Sequence, residues 1–257
     1  MSAPESLNLR GRRFRPTFWA TVFTIPALII LLGLGTWQVQ RLFEKKEQIA
    51  LRQERALGEA RPLPASFPEP GAVEFTRVAL SGEFLHGEEF YLGARTESGR
   101  VGLNVVTPFR LDDGRVILVN RGWVPEGNRD PATRSAGQIE GPVEIEALLR
   151  TDGWKGFEFA KPPNEPAERF YFWLDLPVMA ATLREGGVSE EPMITEVYAD
   201  AVASDVPGGL PIGGQTRIQL PNDHLQYAIT WYSFAVILLV IYFLFHYRRE
   251  DEGDSGN

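Results

Sequence analysis

Two long stretches of the chain lack formal charge. Residues 16–40 run for 25 positions without Asp, Glu, Lys or Arg, and residues 224–247 do so for 24. At a rise of about 1.5 Å per residue, either run makes a helix able to cross a hydrocarbon core of about 30 Å, so two transmembrane helices are expected. Between them the pattern changes twice. Residues 41–60 are rich in helix formers and free of Gly and Pro until Gly58, which predicts that the first helix continues as a stalk. Pro62, Pro64, Pro68, Pro70 and Gly71 then mark a linker.

Beyond the linker, short β-branched and aromatic runs recur between turn residues, the pattern of strands. Strands are expected over residues 75–82, 89–94, 102–111, 115–124, 143–149, 170–174, 193–199 and 216–220. Asp112-Asp113-Gly114 predicts a hairpin turn. Residues 175–183 predict a short helix opened by Asp175. Residues 205–214, with four glycines and two prolines, predict a loop. The expected fold class is a membrane protein with two transmembrane helices flanking a mainly β (α+β) extracytoplasmic domain. Its parts are a cytoplasmic N-terminus (1–15), a first span (16–40), a helical stalk (41–60), the β domain (61–223), a second span (224–247) and a cytoplasmic tail (248–257).

Charge orients this arrangement. Arg10, Arg12, Arg13 and Arg15 face a single Glu5 before the first span, and Arg248 and Arg249 end the second, which places both termini in the cytoplasm by the positive-inside bias. Arg41, Lys45 and Lys46 oppose that assignment, but Glu44 and Glu47 lie among them. A retained anchor is expected rather than a cleaved signal, because the far end of the first run offers no small-x-small cleavage site. The tail holds two Arg against four acidic residues, so the acidity of the chain, net −8, resides in the central segment. An acidic exported domain argues against nucleic acid as a partner. The expected location is a bacterial inner membrane, with the central domain periplasmic.

The inventory of reactive side chains is short. There is no cysteine, and the histidines are His86, His224 and His246. Thiolate catalysis, disulfides, covalent c-type haem and thiolate metal sites are thereby excluded. No catalytic triad, Walker loop or zinc-hydrolase motif is present, so an enzyme is not expected. At 100° per residue, His224, Tyr227, Ala228, Trp231 and Ala235 share one face of the second span. On the first, Pro26, Ile30, Gly33, Trp37 and Gln40 align, with Arg41 at the edge. Two readings of these faces stand together. One is an ordinary aromatic belt with small residues for helix packing. The other is a porphyrin seat, with His224 as ligand to haem iron, Tyr227, Trp231 and Trp37 as walls, and Arg41 for the propionates. His86-Gly87-Glu88-Glu89 reads as a solvated turn, and His246 as an interface residue. Strand alternation places Arg121 and Trp123 on one side, either as a docking surface or with Trp123 buried beneath the Arg stem.

The chain resembles the surfeit locus protein 1 family, membrane assembly factors for cytochrome c oxidase. The resemblance is carried by Leu34-Gly35-Thr36-Trp37-Gln38-Val39-Gln40-Arg41, residues 77–84, Thr107-Pro108-Phe109, Asn120-Arg121-Gly122-Trp123-Val124-Pro125, Trp173-Leu174-Asp175-Leu176-Pro177 and residues 222–232, in that order along the chain. Residues 154–168 give no firm match. The resemblance implies an assembly factor that binds haem a transiently and assists its insertion into oxidase subunit I, with His224 matching the histidine associated with haem a in bacterial members. The partners it implies are subunit I, haem a synthase and membrane lipid, in respiratory chain biogenesis. The alternative is a membrane scaffold that stabilises oxidase intermediates without touching haem.

A reporter active only in the cytoplasm should work when fused after Asn257, and one active only outside should work when inserted in residues 62–71. A C-terminal fusion working outside would reverse the assigned topology.

Overall fold

In the computed structural model, residues 12–14, 16–154, 156–187 and 192–249 are described, with backbone alone at 12, 13, 248 and 249. Arg10, Arg15 and most of the acidic tail, used above to orient the chain, lie outside these residues. The strands are β1 (Arg12–Phe14), β2 (Arg61–Pro62), β3 (Arg77–Phe84), β4 (Phe90–Glu97), β5 (Arg100–Leu111), β6 (Val116–Pro125), β7 (Val143–Arg150), β8 (Phe170–Tyr171), β9 (Tyr198–Ala201) and β10 (Tyr247–Arg249). The helices are α1 (Phe18–Leu57), α2 (Leu176–Glu185) and α3 (His224–His246). They form two units, one from residues up to 49 and from 220 onward, the other from residues 50–219.

The first unit is an antiparallel helix pair. α1 and α3 are both long and apolar enough to cross a membrane, and their apolar side chains face outward: Ile29 is 65% and Leu244 60% exposed. Continuous exposed apolar surface of this kind marks a membrane or protein contact. Polar contacts fix the register. Thr17 Oγ1 meets His246 Nε2 at 3.0 Å, Thr21 Oγ1 meets Tyr242 Oη at 2.7 Å, and Thr36 Oγ1 meets Tyr232 Oη at 3.1 Å. Hydrogen bonds of this kind contribute about 0.6–2 kcal/mol each between membrane helices. Small residues permit the approach. Ala228 and Ala235 are buried, and a Cβ on Gly35 would press on the Tyr232 ring. Gly33 faces open space, so only the second of the two glycines packs. β1 pairs with β10 beyond the helices, which brings both ends of the described chain together.

The second unit begins with the last turns of α1 and is otherwise built on one sheet, in the order β2-β3-β7-β9-β6-β5-β4-β8. β3 also pairs with β5, through Gly82↔Leu111 to Phe84↔Phe109, which closes β3-β7-β9-β6-β5 into a barrel. Its interior follows the two-residue period of a strand: Val78 and Leu80, Phe109 and Leu111, Ile117 and Val119, Ala147 and Leu149, Val197 and Ala199 pack together. Leu118, Phe90, Leu92 and Val106 point the other way, against α2. That helix presents Leu176, Met179, Ala180 and Leu183 at helical spacing. It starts where Asp175 accepts from the Val178 amide at 3.3 Å.

Three expectations change. Of residues 193–199, only Tyr198 and Ala199 lie in β9, although Met193 bridges Val116. Of residues 170–174, only Phe170 and Tyr171 pair. Residues 216–220 form no strand; they are irregular, and the Thr216 hydroxyl donates to Asp200 at 2.7 Å.

The alternation of β6 also breaks. Val105 pairs with Gly122 and Val106 with Asn120, so Arg121 is an extra residue bulged out of the ladder. Gly122 adopts φ 122°, and a Cβ there would strike the Ile212 carbonyl. Ile212 is held close by paired bonds with Trp123, 2.9 and 2.8 Å long. The bulge separates Arg121 from Trp123: Trp123 shares a cavity with Asn120, whereas Arg121 lines another beside Phe84. Gly122→Ala should therefore destabilise the full chain by about 2–4 kcal/mol, read as a lowered thermal midpoint in detergent. A loss under about 0.5 kcal/mol, the size of an ordinary surface change, would mean that the bulge tolerates a side chain.

Candidate functional site

At the end of the helix pair away from the termini, α3 begins at His224. Its imidazole Nδ1 lies 2.6 Å from Oε1 of Gln38 on α1. An amide oxygen only accepts, so Nδ1 donates; in the neutral imidazole this tautomer leaves the lone pair on Nε2. Nε2 makes no hydrogen bond among the described residues. Asn222 Nδ2 donates to the Leu42 carbonyl at 3.4 Å and ties the same ends together. A neutral imidazole oriented through one nitrogen and open at the other is the form that ligates a metal.

The remaining predicted residues are placed less uniformly. Tyr227 is 55% exposed, and Trp231 is half-buried with its ring edge-on to Phe234. Trp37 is exposed, and the Arg41 guanidinium lies 5.8 Å from the centre of its ring. Arg41 also pairs with Glu44 at 2.7 Å, so an arriving carboxylate would compete with Glu44. The face of α1 turned to α3 runs through Gly35, Gln38 and Leu42. Trp37 lies beside this face. Gln38 was missed in the sequence. The available signal was a polar residue near a span end at helical spacing from Gly35 and Leu42. His246, at the other end, is buried, with Nδ1 donating to the Tyr242 carbonyl at 2.7 Å. Among the described residues no group of three or more His, Cys, Asp or Glu could hold a bare metal ion. A porphyrin, which brings four nitrogens of its own, needs only an axial ligand.

In the β unit, the predicted solvated turn at His86 is instead part of a buried ionic cluster. Glu89 and Arg134 are each about 5% exposed or less and pair in a fork, with distances of 3.1 and 2.5 Å. Gln138 Nε2 donates to Glu89 at 3.3 Å, and Arg121 Nη1 stands 3.6 Å from it. Arg121 also donates to the Gly137 carbonyl and lies over the Phe84 ring at 4.6 Å. Burial draws the Arg121 guanidinium down to about 10, which leaves it charged at neutral pH. His86 Nε2 donates to the Ile139 carbonyl at 2.8 Å and Nδ1 accepts from Arg121 at 3.3 Å. Burial lowers the His86 pKa, the Ile139 bond raises it, and the nearby Arg121 charge lowers it again. The motif at Asn120-Arg121-Gly122-Trp123 is thus interior. Trp123 is 1% exposed, and the guanidinium over its ring is that of Arg100, at 5.5 Å. The docking reading of this motif is overturned by that burial, and so is the shared side of Arg121 and Trp123.

The chain thus combines a pair of apolar helices, each long enough to cross a membrane, with a small closed β-barrel, and one oriented imidazole lies at the end of the helix pair. A model of the SURF1 family matches residues 25–236. A SURF1-like protein of Monosiga brevicollis is 37% identical over all of this chain and 97% of its own length. Surfeit locus protein 1 of Rattus norvegicus is 39% identical over 90% of this chain and 76% of its own, and that of Homo sapiens 40% over 84% and 73%. The chain belongs to the SURF1 family.

Glu89 is the shared anion of two buried guanidinium groups, and replacing it by a neutral isostere leaves both without a counter-charge. Glu89→Gln should cost about 3–5 kcal/mol of stability, the usual penalty for breaking a buried pair, measured by thermal or denaturant unfolding. A cost below about 1 kcal/mol, the range of solvent-exposed pairs, would show that water reaches the cluster.

Proposed function

We propose that this protein is an assembly factor for cytochrome c oxidase that holds haem a at His224 and assists its insertion into oxidase subunit I. Membership of the family supports the role. The observation that carries the site is the imidazole itself: Gln38 engages Nδ1, and Nε2 is left with its lone pair and no protein partner. The position also suits the cargo. Haem a joins an apolar tail to two propionates, so the end of a membrane helix accommodates both, with the tail in lipid and the acids at the interface, near Arg41. A single protein ligand favours release, as a carrier requires. Tyr227 and Trp231 follow His224 on α3 and supply aromatic surface at that level.

In this reading the termini lie in the cytoplasm and the barrel on the opposite, periplasmic side, by the basic flanks of the spans. Subunit I is the acceptor and haem a synthase the natural donor.

The test compares wild type, His224→Ala and Gln38→Leu purified from cells that make haem a. His224→Ala should lose the bound haem and its absorption bands. Gln38→Leu should weaken retention by about 10- to 100-fold, as loss of an orienting partner does. If His224→Ala keeps the same haem with an unchanged spectrum, the haem-independent scaffold is the better account.

A further inference from the structure

The β unit contains a cavity of about 760 Å³, walled by β4, β5, β6, the end of β7, β9 and residues 214–217. That volume suits a small organic molecule. Its one deeply buried carboxylate is fully engaged. Asp200 accepts from Asn120 Nδ2 at 2.7 Å, from Arg150 Nη1 at 3.2 Å and from Thr216 Oγ1 at 2.7 Å. Asn120 is spent as well, because its Oδ1 accepts from the Gly122 amide at 3.3 Å.

The groups left over on the wall are mostly donors. Asn104 is 6% exposed and its amide makes no hydrogen bond among the described residues. Tyr198 is 9% exposed and its hydroxyl likewise has no partner there. Trp123 supplies an aromatic wall, and its buried Nε1 has no acceptor. Arg95 and Arg217 reach the same space and form no ion pair or hydrogen bond among the described residues. Glu97 is the other carboxylate on this wall, and Ser98 Oγ donates to it at 3.2 Å.

Buried polar groups are almost always satisfied in folded proteins. On this wall Trp123 Nε1 is such an exception, and the Asn104 amide, the Tyr198 phenol and two guanidinium groups without protein partners open on the same space, in a segment that is otherwise acidic. We infer that this cavity binds a small organic anion, whose carboxylate or phosphate oxygens accept from Arg95, Arg217, Asn104 and Tyr198 while its body lies against Trp123 and Leu92. Guanidinium groups suit such oxygens because they donate in a planar fork. The site lies wholly within the β unit and does not involve His224.

Isothermal titration calorimetry on the full chain in detergent tests this with two anionic probes, benzene-1,2,4-tricarboxylate and inorganic phosphate, and benzamide as the neutral control. At least one anion should bind with Kd below about 1 mM, and benzamide should not. Arg95→Gln and Arg217→Gln should each weaken that binding by about tenfold or more, the scale of a charge-assisted hydrogen bond. Both side chains lack partners, so both variants should melt as wild type does. Preference for the tricarboxylate assigns a carboxylate ligand, and preference for phosphate a phosphate ester. If neither anion binds better than benzamide, or if both variants bind as wild type does, the cavity is a solvent-filled end of the barrel and the inference fails.

Discussion

The β unit depends on how one strand shares its two edges. β5 spans Arg100–Leu111 and must satisfy backbone groups on both sides along its whole length. One edge belongs to β6 throughout, whereas the other is divided, with β4 on Arg100–Val106 and β3 on Phe109–Leu111. The division has two consequences. It closes the barrel at one end, where ring and branched side chains fill the interior. It also leaves the other end of β5 splayed with β4 and β8, which opens a second face for α2 and makes room for the large polar cavity.

Polar groups were distributed around that closure. The β6 bulge turns Arg121 toward Glu89 and Arg134, while Asn120 and Trp123 face the cavity on the far side. A buried ion pair of this sort gives little net stability compared with an apolar replacement, but it penalises every arrangement that separates its members. Here it ties β6 to the turn at His86 and to residues 134–138. The helix pair uses the same principle at smaller cost. Between two helices this uniformly apolar, apolar contact alone does not select a register, so the Thr–His, Thr–Tyr and His–Gln contacts select it, and small residues at Gly35, Ala228 and Ala235 allow it.

Membership of the family supports the proposed role, and the oriented imidazole is the feature on which the proposed site rests. His224 carries no special group by itself. In the proposed site its ring is oriented by a neighbouring amide oxygen, which engages Nδ1 and leaves Nε2 without a protein partner.

Local chemistry made much of this legible in the sequence. Both long apolar helices were visible as uncharged runs, the pattern that the cost of a charge in hydrocarbon imposes on a span. The stalk, the hairpin at Asp112-Asp113-Gly114, the Asp175 cap and five long strands were readable within a few residues, because periodicity and turn chemistry act over short distances. Tertiary structure alone decided the rest. Nothing near Arg121 announces a bulge, since its cause is the approach of Ile212, some ninety residues away on the chain. Residues 216–220 have the composition of a strand, but they pair with none. The turn at His86 looks solvated until Arg121 and Arg134 converge on Glu89. His224 was recognisable as a candidate, but the orientation of its ring was not, because Gln38 lies 186 residues away and only the pairing of two helices brings its amide to the imidazole.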